Sequence, residues 1–267
     1  NPDAALYLEE CDQVLEALGT PVQERYDLLK SHHATAEKRY YPLAQEVITG
    51  TYVGDYDYVL DLLDRCYFPT REGVANFHDN FVDALILAGE EKIAEGKVEQ
   101  AVTLYKKAFT YPENHQVFLV DERATHDAQI NYCLGEAYAA LGQDAEAEKY
   151  WKLAAEQDYE LKGSKDFRYW TGLALERLGR KAEAEAIFSA LVADGEAAVV
   201  TQHVNFYGAE GTTGVTVDII NSAAYYTQAL GHLGLGHRGK AKRLFAEVQR
   251  LKPDHLWANE FMKQFEK

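Results

Sequence analysis

The stretch from Asn131 to Ala154, NYCLGEAYAALGQDAEAEKYWKLA, decides the fold. Ile130, Cys133, Leu134, Ala137, Tyr138 and Leu141 recur at i, i+3, i+4, i+7, i+8 and i+11, which is the spacing of one helix face. Gly142 interrupts that face, and Ala147, Trp151, Ala154 and Ala155 begin a second one beyond it. Two amphipathic helices joined through a glycine make a helical hairpin, the glycine supplying the left-handed residue that ends the first helix. Gly135 stands seven residues before the turn glycine, Ala147 five residues after it, and Trp151 four residues farther on.

Working outward, the same register recurs three more times. Gly89, Gly96, Ala101 and Tyr105 form one copy; Gly172, Gly179, Ala184 and Phe188 another; Ala229, Gly236, Ala241 and Phe245 the last. The spacing has a physical logic. The upstream Gly or Ala lets the two helices of a hairpin approach closely, the turn Gly ends the first helix, the Ala admits a neighbouring helix, and the ring fills a groove. Trp151 is expected to fill such a seam.

This pattern resembles the tetratricopeptide repeat, whose signature W-x2-L-G-x2-Y, then A-x3-F, then P extends over about 34 residues. The Asn131–Ala154 copy carries Leu134-Gly135, Tyr138, Ala147 and Trp151, with Asn131 in place of the opening Trp. The last copy carries Tyr225, Gly236, Ala241, Phe245 and the closing Pro253. Lys92, Leu175 and His232 depart from the pattern where its middle Tyr is expected, as does Tyr159 where its Pro is expected. The resemblance implies an all-α, tetratricopeptide-like α-solenoid: a right-handed superhelix of about six hairpins with a C-terminal capping helix. Gly19 and Gly54 mark two earlier, degenerate hairpins within residues 3–68. Clearer repeats are expected at 78–111, 126–158, 166–192 and 219–251, with a capping helix at 254–265, in one domain spanning 1–267. Thr20 is expected as N-cap of a helix with Pro21 at its first position, and Asp254 as N-cap of the last helix. The turn glycines at 19, 54, 96, 142, 179 and 236 lie 35, 42, 46, 37 and 57 residues apart, so loops are expected near 67–77, 111–125 and 193–218.

The chain is also similar to the C-terminal helical region of a family of large bacterial proteins in which a β-rich, sugar-enzyme-like portion comes first. Gly54-Asp55-Tyr56, Tyr67-Phe68-Pro69 with Glu72-Gly73, and Tyr111-Pro112-Glu113-Asn114 carry that resemblance. It implies that the chain, which begins at Asn1 and has its sole Met at Met262, is a mature form or an excised domain.

Composition bounds the function. With 27 basic against 43 acidic residues the net charge is −16, a surface that repels nucleic-acid phosphates and anionic lipid. No apolar run approaches a membrane span and no basic-then-apolar leader opens the chain, so a soluble protein is expected, the cytoplasm favoured over the periplasm. Cys11, Cys66 and Cys133 show no metal or disulfide spacing and are expected as buried free thiols. No metal motif, nucleophile elbow or nucleotide-binding loop is present, so neither a catalytic residue, a metal nor a cofactor is assigned.

Two sets of residues remain. On the first helix of each hairpin, positions off the packing stripe line the groove of such superhelices: Tyr132 and Glu136, then Tyr169, Trp170 and Arg177, then Tyr226 and Thr227. Tyr and Trp combine apolar area with a polar tip, which suits a protein or peptide partner, or an upstream domain of the same polypeptide. Glu72, His78 and Asp79 near the first loop, and His203, Asn205, Tyr207 and Glu210 in the last, carry acid–base side chains. They keep open the alternative of a helical domain contributing to a glycan site of a carbohydrate-active enzyme. The leading expectation is a non-catalytic interaction scaffold.

Overall fold

The computed structural model describes residues 3–69, 77–115, 126–157, 165–201 and 217–266. Every regular element among them is helical. Helices α1 (Ala4–Ala17) and α2 (Val22–Ser31) are followed by the short α3 (His33–Ala36), then by α4 (Tyr40–Val53) and α5 (Tyr56–Arg65). Next come α6 (His78–Ala94) and α7 (Val98–Lys107), then α8 (Asp127–Ala140) and α9 (Asp144–Ala155). A 3-10 turn at Lys165–Phe167 leads into α10 (Arg168–Arg177) and α11 (Lys181–Ala198), followed by α12 (Val217–Gly234), α13 (Arg238–Leu251) and α14 (Leu256–Lys263). The chain forms two compact units, Asn1–His126 with Cys133–Ala147, and Asp127–Tyr132 with Glu148–Lys267.

The six turn glycines all adopt the left-handed conformation, at φ 71° (Gly19), 84° (Gly54), 76° (Gly96), 70° (Gly142), 76° (Gly179) and 74° (Gly236). They join α1 to α2, α4 to α5, α6 to α7, α8 to α9, α10 to α11 and α12 to α13. At Gly142 the backbone N–H donates to Ala139 O at 3.0 Å, and that of Gln143 reaches back to Tyr138 O at 2.9 Å. This 5→2 and 6→1 pair satisfies carbonyls that the helix end leaves open. The result is an all-α, tetratricopeptide-like array of helical hairpins.

The Ala–ring register forms the cores. Ala101 and Tyr105, Ala184 and Phe188, and Ala241 and Phe245 are buried, as is Ala147. A Cβ added to Gly89 would stand 2.7 Å from Tyr105 Cζ, so the small residue seven positions before the turn is the floor on which the ring lies. Trp151 is half-buried, packing with Ala128, Ala154 and Ala174 as a partial filler of its seam.

Several boundaries differ from the expected ones. Helix α2 starts at Val22, and Pro21 is its N-cap at ψ 137°, so the proline lies just outside the helix and Thr20 does not cap it. The last helix is capped by His255, whose side chain accepts from the Ala258 N–H at 3.2 Å, rather than by Asp254. Residues 193–198, expected in a loop, continue α11: Asp194 pairs with Arg168, and Gly195 brings α11 so near α12 that a Cβ there would lie 2.6 Å from Ala224 O. Residues 202–216 of that expected loop lie outside the described residues. Cys66 and Cys133 are buried and free, whereas Cys11 faces solvent, because α1 turns its Leu8 and Asp12 side inward.

Two of the stretches quoted for the closer resemblance, at Phe68 and at Asn114, meet in space, while Glu72-Gly73 lies outside the described residues. Phe68 N donates to Asn114 O at 2.8 Å, forming an isolated parallel bridge between Phe68 and His115. Asn114 Nδ2 donates to Leu63 O at 2.9 Å and to Cys66 O at 2.6 Å, satisfying carbonyls at the end of α5. Asp55 accepts from the Tyr26 hydroxyl at 2.6 Å and pairs with Lys30. These residues therefore serve to lock hairpins together.

Candidate functional site

The second unit carries a row of aromatic side chains. Tyr132 near the start of α8 lies 5.6 Å, ring to ring, from Trp170 near the start of α10. Trp170 in turn lies 6.4 Å from Trp257 of α14. All three are half-buried. Each sits one position off its helix's inward stripe, so one side packs on the core while part of the ring reaches solvent. Arg177, at the far end of α10, is exposed and holds its guanidinium 6.0 Å from the Trp151 ring centre.

The remaining expected groove residues divide. Tyr169, Tyr226 and Thr227 are buried. For the two tyrosines the reason is α14: Phe261 reaches Tyr169 at 5.7 Å and Tyr226 at 6.4 Å, and His255 lies 4.5 Å from the Tyr226 ring. The chain's own last helix thus covers part of the first-helix face of α10 and α12. Burial raises the Tyr169 hydroxyl pKa, and the Thr227 hydroxyl donates to Asp166 in the 3-10 turn. Glu136 is half-buried on α8, within the first unit. Trp257 was not among the expected residues. It follows Pro253 in a segment read as a cap, and only the fold of α14 back onto α10 reveals it.

The first unit contains a histidine group that only partly follows the expectation. His78 opens α6, buried, with its ring stacked on Tyr111 at 4.2 Å. His115 packs edge-on against Phe68, Phe77 and Phe81, and its Nε2 lies 2.8 Å from Leu63 O. His126, the N-cap of α8, places Nε2 3.7 Å from Asp79 Oδ1 and Nδ1 3.8 Å from Asp83 Oδ1. Burial, with the nearby His115, lowers the His78 pKa to about 4; burial also lowers that of His115. Glu72, His203 and Tyr207 lie outside the described residues. Among the described residues no group of three or more His, Cys, Asp or Glu side chains is arranged to hold a metal ion, and no helix is long and apolar enough to cross a membrane.

A third polar cluster braces the N-terminal helices. Buried Asp12 takes two hydrogen bonds from Arg25, both 2.9 Å, and buried Glu46 accepts from the Tyr58 hydroxyl at 2.6 Å with His33 Nδ1 2.9 Å away. Paired in this way, the carboxylates satisfy the rule that buried charge needs a partner.

No family model matches the chain, and no curated protein matches it. Among solved structures the chain is similar to YrrB, described as a TPR protein with an unusual peptide-binding site. The match has 17% identity and a TM-score of 0.31, covering 88% of this chain and 96% of the other. A likeness at that level carries no functional argument, which rests instead on the residues above.

Proposed function

We propose that this chain is an interaction scaffold whose second unit binds a protein segment along the face formed by Tyr132, Trp170 and Trp257, and that it performs no chemistry of its own. The observation that carries the reading is the continuous half-buried aromatic row, with 5.6 Å and 6.4 Å between successive rings. Rings held rigidly by a core on one side offer contact area at small entropic cost, the property that makes Tyr and Trp frequent hot spots. A row across three helices suits an extended segment more than a compact ligand. Exposed Arg177 adds a guanidinium that selects for a carboxylate on the bound segment. The segment belongs to a separate protein or to an upstream part of the same polypeptide.

Three buried ionisable side chains support the non-catalytic part of the proposal. Burial raises the thiol pKa values of Cys66 and Cys133 and lowers that of the His78 imidazole, so these groups are held neutral, away from nucleophile or general-acid duty near pH 7. The test is a mutational contrast on a partner captured from the source cell. Tyr132→Ala with Arg177→Ala should weaken binding by about 2 kcal/mol or more, within the hot-spot range, while leaving the helical circular-dichroism signal intact. Unchanged affinity in the folded double variant would move the site off this face.

A further inference from the structure

Helix α1 has two apolar faces, and the fold uses one. Inward, Leu8 joins Leu29 and Ala36 in a small core, while buried Asp12 pairs with Arg25. Outward, Tyr7 is 54% exposed, Val14 57% and Leu18 76%, and Cys11 between them is exposed too. Positions 7, 11, 14 and 18 are spaced by four, three and four residues, so they form one straight stripe along the helix. Exposed apolar residues scattered singly carry no message, but a contiguous stripe marks an interaction surface. Of the seven large exposed hydrophobic residues among the described residues, three fall on this one helix and its C-cap.

We propose that the outward face of α1 is a docking surface for a basic amphipathic helix. A straight stripe roughly 16 Å long matches the apolar ridge of another helix lying along it. Charge selects which helix. Residues 4–17 contain no Lys, Arg or His, and Glu10, within electrostatic reach of Arg39, borders the stripe on one edge. Glu9 is engaged by Arg39, and Glu16 lies on the inward side, 3.4 Å from Arg25. The chain as a whole carries −16. A second copy would bring acidic edges together, and an anionic lipid surface would be repelled; Lys or Arg along one edge of the partner helix complements both the edge and the net charge. This surface lies in the first unit and is independent of the aromatic row proposed above.

The probe is a synthetic fluorescein-labelled helical peptide of about five turns, with Leu at the matching spacing and Lys on its flanks, titrated by anisotropy into the 267-residue chain. A second peptide carries Glu in place of Lys. The Lys peptide should bind at least about tenfold tighter than the Glu peptide, and Val14→Glu with Leu18→Glu should weaken it by about tenfold or more. Both substituted positions are exposed, so melting should be unchanged. Adding two carboxylates strengthens any purely electrostatic attraction to a Lys peptide, so tighter binding by the double variant would overturn the proposal. Equal affinity for the two peptides would do the same. So would dimerisation of the unaltered chain abolished by the double variant, or binding to phosphatidylcholine vesicles lost with it.

Discussion

A Cβ on Gly172 of α10 would stand 2.7 Å from Cζ of Phe188 on α11, nearer than side-chain packing tolerates. The same ring meets Gly234 of α12, where an added Cβ would lie 2.5 Å from Cε1. One ring therefore occupies a cradle of two helix glycines, and the three helices converge on it. Gly172→Ala should destabilise the protein by about 1–3 kcal/mol through overpacking, outweighing the roughly 1 kcal/mol by which Ala is the better helix former. Phe188→Leu in the same chain should return part of that loss. Denaturant melts in which Gly172→Ala alone is stabilising would mean that the ring and the glycine do not meet.

Asn114 tests how the hairpins are locked in the first unit. Its Nδ2 serves two carbonyls, Leu63 O and Cys66 O. Asn114→Ala leaves both without that donor and should cost about 1–3 kcal/mol. Asn114→Asp sets a carboxylate against the same carbonyl oxygens and should cost more than Ala. An order in which Asp is tolerated better than Ala in thermal melts at pH 7 would contradict the arrangement.

Acid should weaken the fold through its buried imidazoles. Burial is the main cause holding His255 down to about 4 from its ordinary 6.5, and its Nδ1 accepts the Ala258 N–H, which a protonated ring cannot do. The folded pKa is below the unfolded one, so as pH falls through 6.5 the unfolded chain takes up the proton first. The stability is therefore complete above about pH 7 and is lost progressively down to about pH 4. At pH 5 the loss from this one group is up to about 2 kcal/mol. His255→Asn keeps a side-chain acceptor at the N-cap and removes the titration, so its stability should change less between pH 7 and pH 5 than that of the unaltered chain. Parallel pH profiles for the two proteins would refute the assignment.

The hairpins were legible in the sequence because their rules are local. A left-handed turn needs glycine and a ring needs a small residue opposite it, and both requirements sit within about one repeat of chain, so Gly96, Ala101 and Tyr105 could be read together. The caps were less legible: Pro21 and His255 took positions assigned to Thr20 and Asp254 because a neighbouring residue of similar aptitude lay one step away. Exposure along the first helices was legible only in part. Whether Tyr169 or Tyr226 reaches solvent depends on Phe261, which arrives from more than thirty residues beyond either by the fold of α14. For the same reason Tyr226→Ala would report on packing and not on binding. The approach of His78 and His115 to the same Phe81 ring was hidden likewise, since His115 comes from a segment more than thirty residues farther along the chain.

The central claim is that partners bind along the aromatic face of the second unit, and site-specific photocrosslinking tests it most directly. A benzoylphenylalanine at Tyr132 keeps an aromatic ring within the row, and one at exposed Lys240 on α13 samples a separate surface of the same unit. With the captured partner present, the account predicts crosslinks from position 132 that an excess of unlabelled partner suppresses, and none from position 240. Specific crosslinks from position 240 with none from position 132 would contradict it.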